Sequence, residues 1–318
     1  GLGDVYKRQH NILKVGYDKL KRGGNSDMSH RCTILYPADF FDLKKVDEDY
    51  EYEYREAVQF PEFQILFYNY DEFAAGEKLR FYPGDFEGGL CVYRGWMLQP
   101  SAYEELYRTL AGRGLRLINT PDEYENCHEF PNSYDLLQTF TPGMMAYPMG
   151  EAVDWRAVKE RFGRFMMKDY VKSVKGSDFP VYFDHTYTDE EMDRYAAEFI
   201  RLRDRLFVKG IVLKEFVDLK KTDHATNEYR AFYLYGKRIT LSKNSNQKRD
   251  VPVPEAFAGQ LPRLNSNFYT VDFAELADGS WIVVETGDGQ VSGLSPGQYV
   301  FKFYEELLRG IVEEGTEG

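Results

Sequence analysis

The sequence predicts an α/β chain that turns to α+β in its C-terminal half. Between residues 32 and 128, short apolar runs alternate with helix-start signals, the arrangement of a partly parallel sheet with covering helices. Beyond residue 210 the runs are β-rich and follow one another with little helix between, as in a mainly antiparallel sheet. The composition is that of a folding chain: 318 residues, 43% hydrophobic and 16% aromatic, with 25 Tyr and 23 Phe.

Taken in order, the chain opens GLGDVYKRQ and stays polar through KLKRGGNSD, so residues 1–27 read as a non-native or flexible extension ahead of a start at Met28. The apolar runs at 32–36, 63–68 and 90–93, bounded by turn residues, read as buried strands. Three capping boxes mark helix starts: Ser101 with Glu104, Thr120 with Glu123 around Pro121, and Thr188 with Glu191. In each, a hydroxyl and a carboxylate satisfy one another's free amide groups. The strand LRLIN lies between the first two. Residues 130–150, rich in Pro, Gly and aromatics, read as a crossing between lobes. A short helix over 154–162 feeds the strand RFMMKDYV, and a long helix covers 188–206. GIVLKEFVDL, EYRAFYLYGKRITL and a hairpin follow, and a helix over 298–313 ends the chain. The expected division is an N-terminal α/β lobe over 28–130 and a second domain over 131–318, itself split into 131–209 and 210–318.

The hairpin over 268–294 organises the rest. Asp278-Gly279 readily takes the positive φ of a tight turn. Asp272 in the first strand and Glu285 at the end of the second are then expected side by side on one face, with Asp288 following in a Gly-flanked bend. Such carboxylates suit Mg²⁺, which takes one or two of them, keeps waters and completes its shell with phosphate oxygens. Solvated strand ends have the same spacing. Against that, Gly287, Gly289 and Gly293 allow close backbone approach, and the apolar run before Glu285 holds its carboxylate at a core edge.

Other segments bear on chemistry. RFMMKDYVKSVKGSD carries Lys168, Lys172, Ser173, Lys175, Gly176 and Ser177, a set that fits a phosphate clamp as well as a solvated turn; the GxxxxGK[ST] spacing is absent. Lys214, Glu215, Phe216, Val217 and Asp218 end an apolar strand whose backbone can meet an adenine edge and whose acid can meet a ribose, although an edge strand looks the same. Arg230 shares a strand face with Glu228 and suits a transferring phosphoryl group or a cross-strand salt bridge. Arg94 and Trp96 follow a buried strand at its carboxyl end, a common ligand position, and are candidate substrate contacts. The histidines form no cluster, and neither a zinc site nor a serine nucleophile elbow is present.

A formal charge of −12 argues against general nucleic-acid binding. Three cysteines without a CxxC suggest reduced thiols in a cytoplasmic setting. No apolar run reaches the length of a membrane span.

Read in sequence, MMK, the Ser/Gly loop, VLKEFV, EYR and VDFAELADG…WIVVETGDGQ resemble the ATP-grasp ligases over residues 130–318, with an α/β lobe ahead of them as in that family. YRGWM, LINTPDEY, KDYVKS and ETGDGQVSGL look like a divergent bacterial and phage-associated branch whose members mostly lack an assigned substrate. The resemblance implies an ATP-grasp fold with ATP and two Mg²⁺ ions between two lobes. It implies Lys168 on phosphate, residues 173–178 as a covering loop and Glu215 with Val217 at adenine. Arg230 would then meet the transferred phosphoryl group, with Asp272 and Glu285 as metal ligands. Two positions depart from the pattern: Gly287 stands where Asn is usual, leaving Asp288 as the candidate for that metal role, and NSYDLLQTFTP lacks the usual lysine. The implied activity is ATP- and Mg²⁺-dependent joining of a small-molecule or peptide carboxylate to an amine through an acyl phosphate. A phosphotransferase and a catalytically inactive nucleotide-binding module are the alternatives. Neither the substrates nor the oligomeric state is identified.

Overall fold

The computed structural model describes residues 30–174, 178–247 and 251–317. The extension 1–27, the start at Met28, and Lys175, Gly176 and Ser177 of the lysine-rich loop lie outside the described residues. The apolar runs of the first lobe form the expected partly parallel sheet. Its strands are β1 (Cys32–Pro37), β2 (Phe63–Tyr68), β3 (Phe81–Tyr82), β4 (Gly89–Tyr93) and β5 (Leu115–Leu117), in the order β3-β2-β1-β4-β5. All pairs are parallel except β2 with β3. Every residue of central β1 is buried, which is why its sequence is a continuous apolar run and not an alternating one.

The capping boxes at Thr120 and Thr188 form as expected, each threonine accepting from the glutamate N–H and each glutamate from the threonine N–H. Ser101 is no cap. The helix Pro100–Ala111 begins one residue earlier, with Pro100 in its first turn and Gln99 as an N-cap that makes no side-chain bond. The fixed φ of proline suits a helix start and draws Ser101 inside. Residues 130–150 hold regular structure: the helix Phe130–Leu137, with Pro131 in its first turn, and strand β6 (Met144–Pro148).

A second sheet contains β6, β7 (Arg164–Lys168), β8 (Phe183–Asp184) and β9 (Gly210–Glu215), ordered β6-β9-β7-β8 and antiparallel throughout. Strand alternation decides its two faces. Phe165, Met167, Ile211 and Leu213 pack into a core with Met192, Ala196 and Phe199 of the helix Asp189–Arg203. Met166, Lys168, Val212 and Lys214, paired across β7 and β9, share the opposite face. After the small hairpin of β10 (Lys221–Thr222) and β11 (Ala225–Thr226) comes the expected antiparallel sheet. It consists of β12 (Glu228–Leu234), β13 (Lys237–Lys243), β14 (Phe268–Glu275) and β15 (Trp281–Asp288), ordered β13-β12-β14-β15. Tyr229, Ala231, Val271, Phe273 and Val283 form its core face. The chain ends in the helix Val300–Glu317, and its three cysteines are buried free thiols.

A buried ion pair ties the first lobe to the segment after β15. Arg94 donates from Nε and Nη2 to Glu53 at 2.9 and 2.7 Å, and from Nη1 to the carbonyls of Gly289 (2.6 Å), Gln290 (3.2 Å) and Ser292 (3.0 Å). Tyr304 of the last helix donates to the same glutamate. Both charged side chains are almost wholly enclosed, at 1% and 0% exposure. Removing one partner of such a pair strands the other charge, at a cost of roughly 3–5 kcal/mol. Glu53→Gln is accordingly expected to lower stability in urea by about that amount, and an unchanged unfolding midpoint would contradict the assignment.

Candidate active site

The site is built on an irregularity in the β14–β15 hairpin. From the turn, Glu275 pairs with Trp281, Ala274 with Ile282 and Phe273 with Val283, but the next pair is Asp272 with Glu285. Val284 is therefore an extra residue in β15, a β-bulge. Val283 and Glu285 are two apart and in a regular strand would share a face. The bulge separates them: Val283 stays in the core with Phe273, and Glu285 turns to the face of Asp272. The carbonyl of Val284 accepts from Lys214 Nζ at 2.7 Å. Arg230 on β12 is the direct partner of Asp272, so Arg230, Asp272 and Glu285 form a row across three adjacent strands.

Every charge in this row is matched. Arg230 Nε and Nη2 fork onto Asp272 Oδ1 and Oδ2 at 2.8 and 2.7 Å, and Nη1 donates to the carbonyl of Gly293 at 2.9 Å. Glu285 accepts from Lys168 and from Lys172, each at 3.2 Å. Burial alone would raise the Glu285 carboxyl, but Lys168 and Lys172 outweigh it and hold the group well below the usual carboxylate range. Burial, and then Lys168, push the Lys214 ammonium well below the usual lysine range, and its Nζ lies 4.0 Å from the Phe130 ring centroid. The short loop that carries Lys172 is pinned by Asp169, which accepts from the N–H groups of Val171 and Lys172 and pairs with Arg203.

Two cavities meet at this row. The first, of about 660 Å³, is lined by all the residues expected at a nucleotide: Lys168, Lys172, Ser173, Lys214, Glu215, Phe216, Val217 and Asp218. Met166, Ile282, Val284 and Leu219 give it apolar walls. The N–H groups of Glu215 and Phe216 are already bonded to the carbonyls of Gly143 and Arg164, so any base edge is left with the remaining backbone groups of this segment. Asp218 at its rim pairs with Arg164 at 2.6 Å. The second cavity, of about 440 Å³, contains Arg230, Asp272, Trp96, Tyr50 and Tyr70 and shares Met97, Lys172 and Glu285 with the first. Trp96 packs against Tyr50 and Tyr70, with ring centroids 5.3 and 4.7 Å away.

Two expected site residues are not brought to these cavities. Arg94 is a strut: its guanidinium is spent on Glu53 and three carbonyls and has no surface to offer a substrate. Asp288 is fully buried on the far side of the hairpin, because the bulge fixes which residues of β15 turn towards Asp272. It accepts from Asn119 Nδ2 and from the N–H and Nε2 of Gln290, and burial pushes its carboxyl up to about 6. Sequence reasoning missed Tyr50, Tyr70, His128 and Thr286. The Thr286 hydroxyl lies in the second cavity's wall, buried and without a hydrogen-bond partner. His128 lines the same cavity with a wholly enclosed and unpartnered Nδ1. One signal for Thr286 was available, its place next to Glu285; the two tyrosines were lost among many.

The donor chemistry fits the groups the resemblance implies. Lys168, Lys172 and Lys214 converge with one carboxylate, an arrangement suited to a polyphosphate. No group of three or more His, Cys, Asp or Glu side chains gathers among the described residues, and the opposed pair Asp272 and Glu285 suits a cation that fills its remaining positions with water and phosphate oxygens. Among the described residues no helix is long and apolar enough to cross a membrane.

A two-lobed α/β protein with a lysine-lined cleft closed by an acidic hairpin is the class that fold and site define. Residues 152–307 match a family model described as an ATP-grasp domain, family 3 of its clade, and the chain belongs to the ATP-grasp superfamily, whose members characteristically bind ATP and Mg²⁺. The D-alanine–D-alanine ligase of Bacillus anthracis is similar at a TM-score of 0.56 and 12% identity, over 91% of this chain and 100% of that one. D-cycloserine synthetase DcsG matches with a TM-score of 0.56 and 12% identity, over 88% and 99%. A RimK domain ATP-grasp protein from Sphaerobacter thermophilus matches with a TM-score of 0.56 and 14% identity, over 88% and 99%. At these identities the likeness is one of fold. No curated protein sequence matches the chain.

The enclosure of His128 has a measurable consequence. Burial, and then Lys172, lower its pKa to about 3, so below its unfolded value of 6.5 the unfolded chain takes up a proton that the folded one refuses. Stability is then lost as pH falls from 6.5 towards 3. Between pH 7 and pH 5 this residue is expected to account for roughly 2 kcal/mol of the loss. His128→Gln should shrink the pH 7-to-5 difference in urea stability by about that much, and an unaltered difference would overturn it.

Proposed function

We propose that the protein is an ATP- and Mg²⁺-dependent ligase that joins a carboxylic acid to an amine. The observation that carries this reading is the position of the Arg230–Asp272–Glu285 row at the junction of two cavities. On one side the lysine-lined cavity suits a nucleoside triphosphate, and on the other the aromatic cavity with Arg230 suits an acid. A phosphoryl group at the junction lies within reach of both.

Lys168 and Lys172 bind the phosphates, with Ser173 in the loop beside them, and residues 214–218 form the wall for the base. Lys214 keeps the bulge in place and so aims Glu285. Asp272 and Glu285 hold Mg²⁺, which when bound neutralises charge on the phosphate oxygens. Arg230 offers a planar fork of donors to the oxygens of the transferred group. An oxygen of the acid bonds to the γ-phosphorus as the bond to ADP breaks. The amine nitrogen then bonds to the acyl carbon, and phosphate leaves with the electron pair of the broken C–O bond while the nitrogen loses a proton to solvent. No protein nucleophile is required, so the chain contributes positioning and charge stabilisation. Tyr50, Tyr70, Trp96 and Met97 shut one side of the acid's cavity against water.

Asp272→Asn, Glu285→Gln and Arg230→Met are each expected to lower kcat by about 10²–10³-fold. The reaction itself is read from its products across a panel of acids and amines. Release of ADP and phosphate that requires both an acid and an amine supports the ligase. A stable phosphate ester with a hydroxyl acceptor, or turnover unchanged in Asp272→Asn and Glu285→Gln, would overturn it.

A further inference from the structure

A third cavity, of about 510 Å³, opens beside the aromatic one and shares Tyr70, Met97, His128 and Leu206 with it. It contains two buried polar atoms that nothing in the protein satisfies. His128 Nδ1 is one, and the other belongs to the next residue: Glu129, 1% exposed, accepts from Lys209 and Asn132 with Oε2 and leaves Oε1 enclosed without a partner. Leaving such groups unmet costs about 1–3 kcal/mol each, and both accept hydrogen bonds, since burial keeps His128 neutral. Elsewhere along the same wall the character is reversed. The helix Pro100–Ala111 starts there, contributing Gln99, Pro100 and Ala102 to the lining, and its N-cap side chain makes no capping bond. Arg205 lies beside it, with a guanidinium that makes no ion pair among the described residues. A helix start and an unpaired arginine favour a carboxylate.

We propose that this cavity is the acceptor subsite of the ligase and takes a free amino acid, its amine on Glu129 and His128 and its carboxylate at Arg205 and the helix start. The assignment rests on the ligase reading and adds the substrate class to it. His128, common to both cavities, then stands where the amine meets the activated acid. The space beyond the two charged ends of the ligand is enough for a large side chain. Glu129 and His128 act here as binding and positioning residues.

The test is thermal unfolding of the full chain with a panel of common L- and D-amino acids, their carboxamides and their N-acetyl derivatives, with and without a non-hydrolysable ATP analogue and Mg²⁺. At least one free amino acid should raise Tm, with its carboxamide and N-acetyl forms binding about 10–100-fold more weakly through loss of one charged contact. Glu129→Gln should weaken the same amino acid to a similar degree. Because Glu129 also pairs with Lys209, a second variant guards against a folding defect: Ala75 is exposed and lines this cavity and not the nucleotide one. Ala75→Trp should abolish the amino-acid shift and keep the nucleotide shift. No shift with any amino acid, equal shifts with the blocked derivatives, or a shift that persists in Ala75→Trp would overturn the subsite. A lost nucleotide shift beside an intact amino-acid shift would instead count against the ATP-dependent reading alone.

Discussion

One extra residue in a strand, Val284, determines the chemistry of the cleft. Strand periodicity gives Val283 and Glu285 the same face, and a regular hairpin from the Asp278-Gly279 turn would set Val284 opposite Asp272. With the bulge, Glu285 stands opposite Asp272 while Val283 remains in the core. The carbonyl freed from the ladder is met by the Lys214 amine from the neighbouring sheet, so the device that aims one carboxylate also joins the two sheets that enclose the cleft. Lys214 itself is sheltered by the Phe130 ring, which links the helix Phe130–Leu137 to the same arrangement. A change at any of these positions is therefore felt at Glu285 first.

The electrostatics follow from that geometry. A chain of net charge −12 concentrates Lys168, Lys172 and Lys214 around a single glutamate. Without a ligand, Glu285 shares the two lysine charges and Asp272 takes the arginine fork. Incoming phosphates compete for the lysines, and a cation competes for the carboxylates. Ligand binding thus exchanges ion pairs within the cleft for ion pairs with the ligand, with little net charge to be desolvated anew. The buried Arg94–Glu53 pair is of another kind: its donors are all met by the protein, so it holds the first lobe against the segment after β15 and leaves the aromatic wall of Trp96 and Tyr70 where the acid is expected.

Much of this was legible in the sequence because it is local. The continuous run of β1, the capping boxes at Thr120 and Thr188 and the turn at Asp278-Gly279 each specify their own structure, and the lysines of β7 and β9 fall on one face by simple alternation. Less legible were features set by distant partners. Nothing in WIVVETGD marks a bulge, since the extra residue is defined by its pairing with β14. Arg94 looked like a ligand contact at a strand end, and its burial depends on Glu53 and on carbonyls some two hundred positions away. Asp288 looked like a third metal ligand by proximity to Glu285, yet it faces Asn119. Ser101 lost its capping place to the proline before it.

The central claim is that the lysine-lined cavity binds a nucleoside triphosphate with Mg²⁺. It is tested most directly by thermal unfolding with and without a non-hydrolysable ATP analogue and Mg²⁺, on the wild type and on Lys168→Ala. A ligand that binds the folded state alone adds about 2.7 kcal/mol of stability at roughly 100 times its Kd. The account predicts a Mg²⁺-dependent rise in Tm for the wild type that Lys168→Ala loses. A wild type whose Tm does not move at saturating nucleotide would contradict it.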